Sequence, residues 1–182
     1  MINSDKLNIG CGNDVRADCV NLDVVSLPGV DVVHDLNKFP WPFEDNTFKE
    51  IFLINVLEHL PDTVRVMEEL YRISKANGIV HIRVPYWNSY ISYGDPTHLK
   101  TFHQNSFDFF DPTTELGKRR HYYSVARFKI VAKYYWTFLN FLGVKRYFKI
   151  GSPVLKKILE ILALPLCNII YLIELEIKVL KL

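Results

Sequence analysis

The sequence predicts an α/β domain built on a largely parallel sheet, and three observations lead there. Short β-branched runs recur through the first 85 residues: Leu7-Asn8-Ile9, Val20-Asn21-Leu22-Asp23 and Val30-Asp31-Val32-Val33-His34. Ile51-Phe52-Leu53-Ile54 is apolar without alternation, the pattern of a strand covered on both faces. Pro61 to Lys75 has helical periodicity and is followed by Ile79 to Val84, so strand, helix and strand succeed one another as in a parallel crossover.

In chain order, Leu7-Asn8-Ile9 leads into a Gly10-Cys11-Gly12 turn. Only eight residues, Asn13 to Val20, separate this turn from Asn21. A crossover with its helix takes about ten to twelve or more, so the first helix is expected to be vestigial. Pro61 suits a first helical position, with Val64, Met67, Leu70 and Tyr71 on one stripe. Asn77-Gly78 is expected to stop that helix, and Pro85 to close the strand after it. Tyr86 to Lys118 reads as an aromatic, polar insert with one helix near Gln104–Phe110. Phe128 to Trp136 fits a strand, and Pro153 to about Leu164 an amphipathic helix whose Leu155, Ile158, Leu159 and Leu162 are expected to cover the sheet. Ile173 to Val179 alternates strictly, as a terminal strand with one wet face does.

Composition bounds the rest. With 182 residues, 49% of them hydrophobic, one domain spanning 1–182 is expected and global disorder is excluded. Cys11, Cys19 and Cys167 form no disulfide framework and no zinc spacing, and His34, His103 and His121 add none, so no metal is expected. Free thiols fit a reducing compartment, and Met1 to Lys6 lacks a signal-peptide pattern, so a cytoplasmic location is the expectation. The charge is split: 9 basic and 17 acidic residues up to Glu115, then 13 basic and 3 acidic. The basic third suggests an anionic partner, with a solvated face as the simpler alternative.

Ligands of open α/β sheets sit at the carboxyl ends of the strands. The polar residues there are Gly10-Cys11-Gly12, Asp23, Asp35 and Asn55. A Gly-x-Gly turn admits close backbone approach, and an acid ending the next strand can accept from both ribose hydroxyls. A dinucleotide would need a third glycine at a helix start to hold its pyrophosphate; position 15 is Val15. S-adenosylmethionine (SAM) has no phosphate and tolerates that loss.

Leu7 to Gly12, Asn21-Leu22-Asp23, Pro42 to Phe48, Asn55 to Leu60, Glu69 to Arg72, the Asn77-Gly78 turn and Val84-Pro85 together resemble class I SAM-dependent methyltransferases, in particular the type 11 branch. Asp95-Pro96-Thr97-His98 resembles a segment of small members linked with surface polysaccharides. The resemblance implies a Rossmann-like three-layer α/β/α sandwich, with a mostly parallel sheet of seven strands whose C-terminal strand is antiparallel. It implies that Gly10, Cys11 and Gly12 lie against the methionyl portion, Asp23 on the ribose and Val24 on the adenine. Asp35 and Leu36 would meet the adenine edge, and Asn55 the cofactor ammonium. Two positions depart from the family pattern: its first acid is Asn8 here, and its third glycine is Asp14.

Methyl transfer is an in-line displacement that needs chiefly alignment. His98 is the candidate general base if the acceptor is a hydroxyl, with Asp95 orienting it or capping a turn. Tyr86, Trp87, Tyr90 and Tyr93 are candidates for lining an acceptor pocket, with filling of a lid core as the simpler alternative; Glu58 and His59 read as structural. The expected acceptor is a hydroxyl or amine of a small molecule or glycan, lipid-linked or phosphorylated if the basic third takes part through peripheral membrane contact. No nucleic acid is expected, since the motif-bearing part is acidic. A degenerate SAM-fold protein that binds a nucleoside or a partner without catalysis is the alternative.

Overall fold

The computed structural model describes residues 4–141 and 144–181; Met1 to Asn3 of the leader reading, and the side chains of Lys145 and Arg146, lie outside the described residues. The strands are β1 (Lys6–Ile9), β2 (Val20–Asp23), β3 (Val32–Val33), β4 (Phe48–Ile54), β5 (Ser74–Pro85), β6 (Phe128–Phe141), β7 (Val144–Ile150) and β8 (Leu172–Val179). The helices are α1 (Thr63–Ile73), α2 (Tyr90–Gly94), α3 (Glu115–Arg120) and α4 (Pro153–Ala163), with short 3-10 turns at Leu57–His59, Ser106–Phe110 and His121–Tyr123.

One sheet runs in the order β3-β2-β1-β4-β5-β8-β6-β7. The first five are parallel, and β8 is antiparallel to both β5 and β6. This is the expected Rossmann-like class, with eight strands rather than seven. The extra strand is β7, which pairs antiparallel with β6 from Tyr135↔Ile150 to Phe141↔Val144. It lay unread because Lys145, Arg146 and Lys149 masked its short apolar runs.

The first crossover holds no helix. A side-chain ladder stands in for helical hydrogen bonds. Asn8 Nδ2 donates to the Asp14 carbonyl (2.7 Å) and to Asn21 Oδ1 (3.1 Å). Asn21 Oδ1 also accepts from the Arg16 N–H (2.9 Å), while its Nδ2 donates to the Arg16 carbonyl (3.0 Å). The Arg16 guanidinium lies 4.0 Å from the Phe52 ring centre and covers part of the sheet where a helix would rest. Both cysteines of the region are buried, and burial pushes the Cys19 thiol up to about 11.

α1 starts later than its proline suggests. Asp62 is the N-cap, its carboxylate accepting from the Arg65 N–H at 3.0 Å, so Pro61 precedes the helix. Met67 and Leu70 of the expected stripe are buried with Val66 and Ile73, whereas Val64 and Tyr71 pack at its margin. Asn77-Gly78 does not stop the helix; it is an irregularity inside β5, with Asn77 at φ 62°. The 36–48 stretch fills the core with Leu36, Trp41 and Phe43 instead of a helix. Glu69 and Arg72 of α1 hold it through the Trp41 N–H (2.8 Å) and the Phe43 carbonyl (2.8 Å).

The expectation for α4 is overturned. Val154, Leu155, Ile158, Ile161 and Leu162 are 41–71% exposed, and only Ala163 is buried, with Leu159 packed at the margin. The inward side carries polar contacts: Tyr135 Oη donates to Glu160, and Lys156 Nζ to the Lys133 carbonyl (2.8 Å).

Candidate functional site

At the carboxyl ends of β1, β2, β3 and β4 lies a cavity of about 330 Å³, lined by Gly10, Asp23, Val24, Asp35, Leu36, Asn37, Asn55, Val56, His59 and Leu60. Six of the eight sequence-predicted cofactor residues are thus together: Gly10, Asp23, Val24, Asp35, Leu36 and Asn55. Parallel strands aim successive loops at one edge, and the edge collects their polar ends.

Gly10 sits at φ 62°, and a Cβ on it would lie 2.4 Å from Val56 Cγ2, so the turn is closed to any side chain. Cys11 and Gly12 do not line the cavity. Cys11 is buried against the sheet, where burial pushes its thiol up. Gly12 donates its N–H to Asp23 Oδ2 at 2.8 Å. Asp23 Oδ1 accepts from the Val25 N–H at 3.1 Å. Asp35 Oδ1 accepts from the Asn37 N–H (3.0 Å) and Nδ2 (3.1 Å). The Asn37 N–H holds the Asp35 carboxyl below the usual range, so it stands ionised at the cavity. Asn55, directly after β4, has φ 56°, a left-handed turn that its short side chain tolerates.

A second cavity, of about 500 Å³, adjoins the first; Asn55, Glu58, His59, Pro85, Tyr90, Ile91, Gly94, Asp95, His98 and Leu172 line it. Asn55 and His59 belong to both, so the two share a wall. Asp95 and His98 fall here as expected. Tyr86 and Trp87 do not: Tyr86 is 1% exposed and donates its hydroxyl to Gln104 Oε1 (2.8 Å), and Trp87 packs half-buried on the core. Directly after β5, Tyr86 continues the strand's alternation into the core; Tyr90 lines the cavity as expected, beside Ile91, and Tyr93 does not.

The loop positions of this cavity are fixed by backbone bonds. The Glu58 carbonyl accepts from the N–H groups of Leu99 (2.8 Å) and Lys100 (3.2 Å), which brings the Asp95–His98 segment over the Leu57–His59 turn. His98 Nδ1 faces the Ser92 carbonyl at 3.1 Å, and His59 Nδ1 faces the Thr97 carbonyl (3.3 Å) and Oγ1 (3.0 Å). Carbonyls only accept, so both Nδ1 atoms carry a hydrogen, and His98 Nε2 lies 3.9 Å from Asp95 Oδ2. Thr97 also bonds Asp95, and its hydroxyl and N–H keep that carboxyl below the usual range. Glu58 is fully buried, with neither carboxylate oxygen in a hydrogen bond. Burial pushes it up to about 7, against the opposing pull of its own backbone N–H and of Arg83. Glu58 and His59 are the site residues that reading the chain as structural missed; the signal was their place directly after β4. A broader cleft of about 800 Å³, between Asp45 and Lys181, lies away from all these residues.

No curated protein matches the chain in sequence. Several solved structures share its fold. A SAM-dependent methyltransferase from Archaeoglobus fulgidus is 19% identical, over 97% of this chain and 87% of that one, with a TM-score of 0.64. YcgJ from Bacillus subtilis is 12% identical over 97% and 92%, with a TM-score of 0.59. A SAM-dependent methyltransferase from Methanosarcina mazei is 14% identical over 100% and 95%, with a TM-score of 0.56. Residues 7–82, which carry β1, β2, β4, α1 and the first cavity, match the family profile described as "Methyltransferase domain". That segment is under half of the chain and is similar to the methyltransferase family, while the chain as a whole has the fold of the SAM-dependent methyltransferases it resembles.

Proposed function

We propose that the chain is a SAM-dependent methyltransferase of the type 11 kind and that it methylates a hydroxyl of a small-molecule or glycan acceptor held in the cavity of Asp95 and His98. The observation that carries this reading is the wall that Asn55 and His59 give to both cavities. A methyl donor on one side and an acceptor on the other would meet across it. Amines are the alternative acceptor class.

The cofactor fits the first cavity on the residues present. Gly10 leaves the turn bare, and Asp23 and Asp35 present carboxylate oxygens whose remaining lone pairs can accept from ribose hydroxyls and an adenine amino group. Leu36 and Val24 offer apolar contact, and the Asn55 carbonyl is the acceptor for an ammonium. SAM, when bound, supplies an electrophilic methyl group on a sulfonium. The chain's own task is alignment and proton removal: His98 can take the acceptor proton through Nε2, beside Asp95, and the Ser92 carbonyl fixes the ring that does so. Positioning of this kind contributes about 7–11 kcal/mol to such displacements. The same proposal takes the sequence as one domain working in the cytoplasm, on its three free thiols.

Calorimetric titration with S-adenosylhomocysteine tests the cofactor site; saturable one-to-one binding is expected, and the absence of heat over the millimolar range would overturn it. Incubation with SAM and a panel of hydroxylated glycans and amines tests the acceptor. Methylation confined to amines would reject the hydroxyl assignment.

A further inference from the structure

We infer that Glu58, His59 and His98 form a binding site for a first-row divalent cation at the floor of the acceptor cavity. One ligand atom from each lies within 4.8 Å of the others. Metal bonds of about 2.0–2.2 Å keep neighbouring ligand atoms roughly 3–4 Å apart, so ångström-scale side-chain adjustment closes the set.

Three features point to a cation and not to a casual cluster. Glu58 is 0% exposed with both carboxylate oxygens unbonded. A buried carboxylate without donors is costly unless a positive charge meets it, and Arg83 acts on it only across space. Both imidazoles are held through Nδ1 by oxygen acceptors, which leaves Nε2 to bind and is how ligating histidines are commonly oriented. The site is also open on one side, because the same three residues line the acceptor cavity. Two imidazoles and one carboxylate suit Mn²⁺, Fe²⁺, Co²⁺ or Zn²⁺ better than Mg²⁺ or Ca²⁺, which prefer all-oxygen shells.

The role of the site rests on the methyltransfer reading. An acceptor hydroxyl bound to the cation becomes more acidic and releases its proton to solvent. The oxygen lone pair then forms the new O–CH3 bond as the S–CH3 bond breaks, leaving neutral S-adenosylhomocysteine. His98 acts in this scheme as a ligand in place of a general base.

The test is Mn²⁺ binding by the full chain after chelator treatment, read from the electron paramagnetic resonance signal of free Mn²⁺. One ion per chain is expected, with His98→Asn and Glu58→Gln each weakening binding at least tenfold. Thermal melts of the variants show that they fold, and either one alone suffices. No binding up to millimolar Mn²⁺, or affinity unchanged in folded His98→Asn, would overturn the site. Neither arm contains SAM, so failure here leaves the S-adenosylhomocysteine titration to decide the cofactor reading separately.

Discussion

The Gly12 N–H donates to Asp23 Oδ2 at 2.8 Å, joining the turn after β1 to the acid that ends β2. Asp23 therefore has two tasks: it holds the glycine turn open, and it lines the first cavity. Asp23→Ala is expected to weaken S-adenosylhomocysteine binding at least tenfold, since hydrogen bonds to a charged acceptor contribute about 1.5–3 kcal/mol each. Asp23→Asn, which keeps an acceptor oxygen, should lose less. Equal calorimetric affinities for wild type and Asp23→Ala would refute the assignment.

Gly10→Ala should fail for two separable reasons. Its Cβ would lie 2.4 Å from Val56 Cγ2, and its φ of 62° is strained for any side chain. A loss of about 1–3 kcal/mol in urea unfolding is expected. Adding Val56→Ala should relieve the contact but not the backbone strain, so recovery should be partial.

Restoring the family's acid should harm this chain. In Asn8→Asp an oxygen replaces the Nδ2 that now donates to the Asp14 carbonyl and to Asn21 Oδ1. Asn8 is 2% exposed, so the repulsion is poorly screened. Destabilisation of about 1–3 kcal/mol is expected from urea denaturation, the range for leaving buried polar groups unpaired. A neutral or stabilising change would show that the ladder does not support the helix-free crossover.

Asp111 provides a pH-dependent case. Burial pushes its carboxyl up, but the Thr113 hydroxyl (2.7 Å), the N–H groups of Ile130 (2.9 Å) and Thr113 (2.8 Å), and nearby Lys129 together bring it below the ordinary value. A carboxyl lowered by folding stabilises fully above its unfolded pKa, near 4, and loses that contribution as pH falls through the folded value. Asp111→Asn should therefore cost about 2 kcal/mol at neutral pH, with the gap to wild type narrowing only below about pH 4. A gap that widens on acidification would reverse the sign.

The sequence by itself determined the parallel half of the sheet and the cavity beneath it. Leu7 to Ile9, Val20 to Asp23 and Ile51 to Ile54 are local patterns, and in a parallel sheet each strand's end must appear at the same edge. Asp23, Asp35 and Asn55 could therefore be grouped before any coordinate was known. The missing first helix was legible for a similar reason, since eight residues cannot span a helix and two turns. The replacement was not: the Asn8–Asn21 ladder depends on the register Asn8↔Asn21, which only pairing of β1 with β2 decides. Tertiary structure likewise decided the orientation of α4, whose amphipathic pattern reveals an apolar side but not whether that side meets the sheet or solvent. It also decided the meeting of Glu58 and His59 with His98. Some 40 residues separate the two segments, and hydrogen bonds from Leu99 and Lys100 to the Glu58 carbonyl, invisible to periodicity, close that distance.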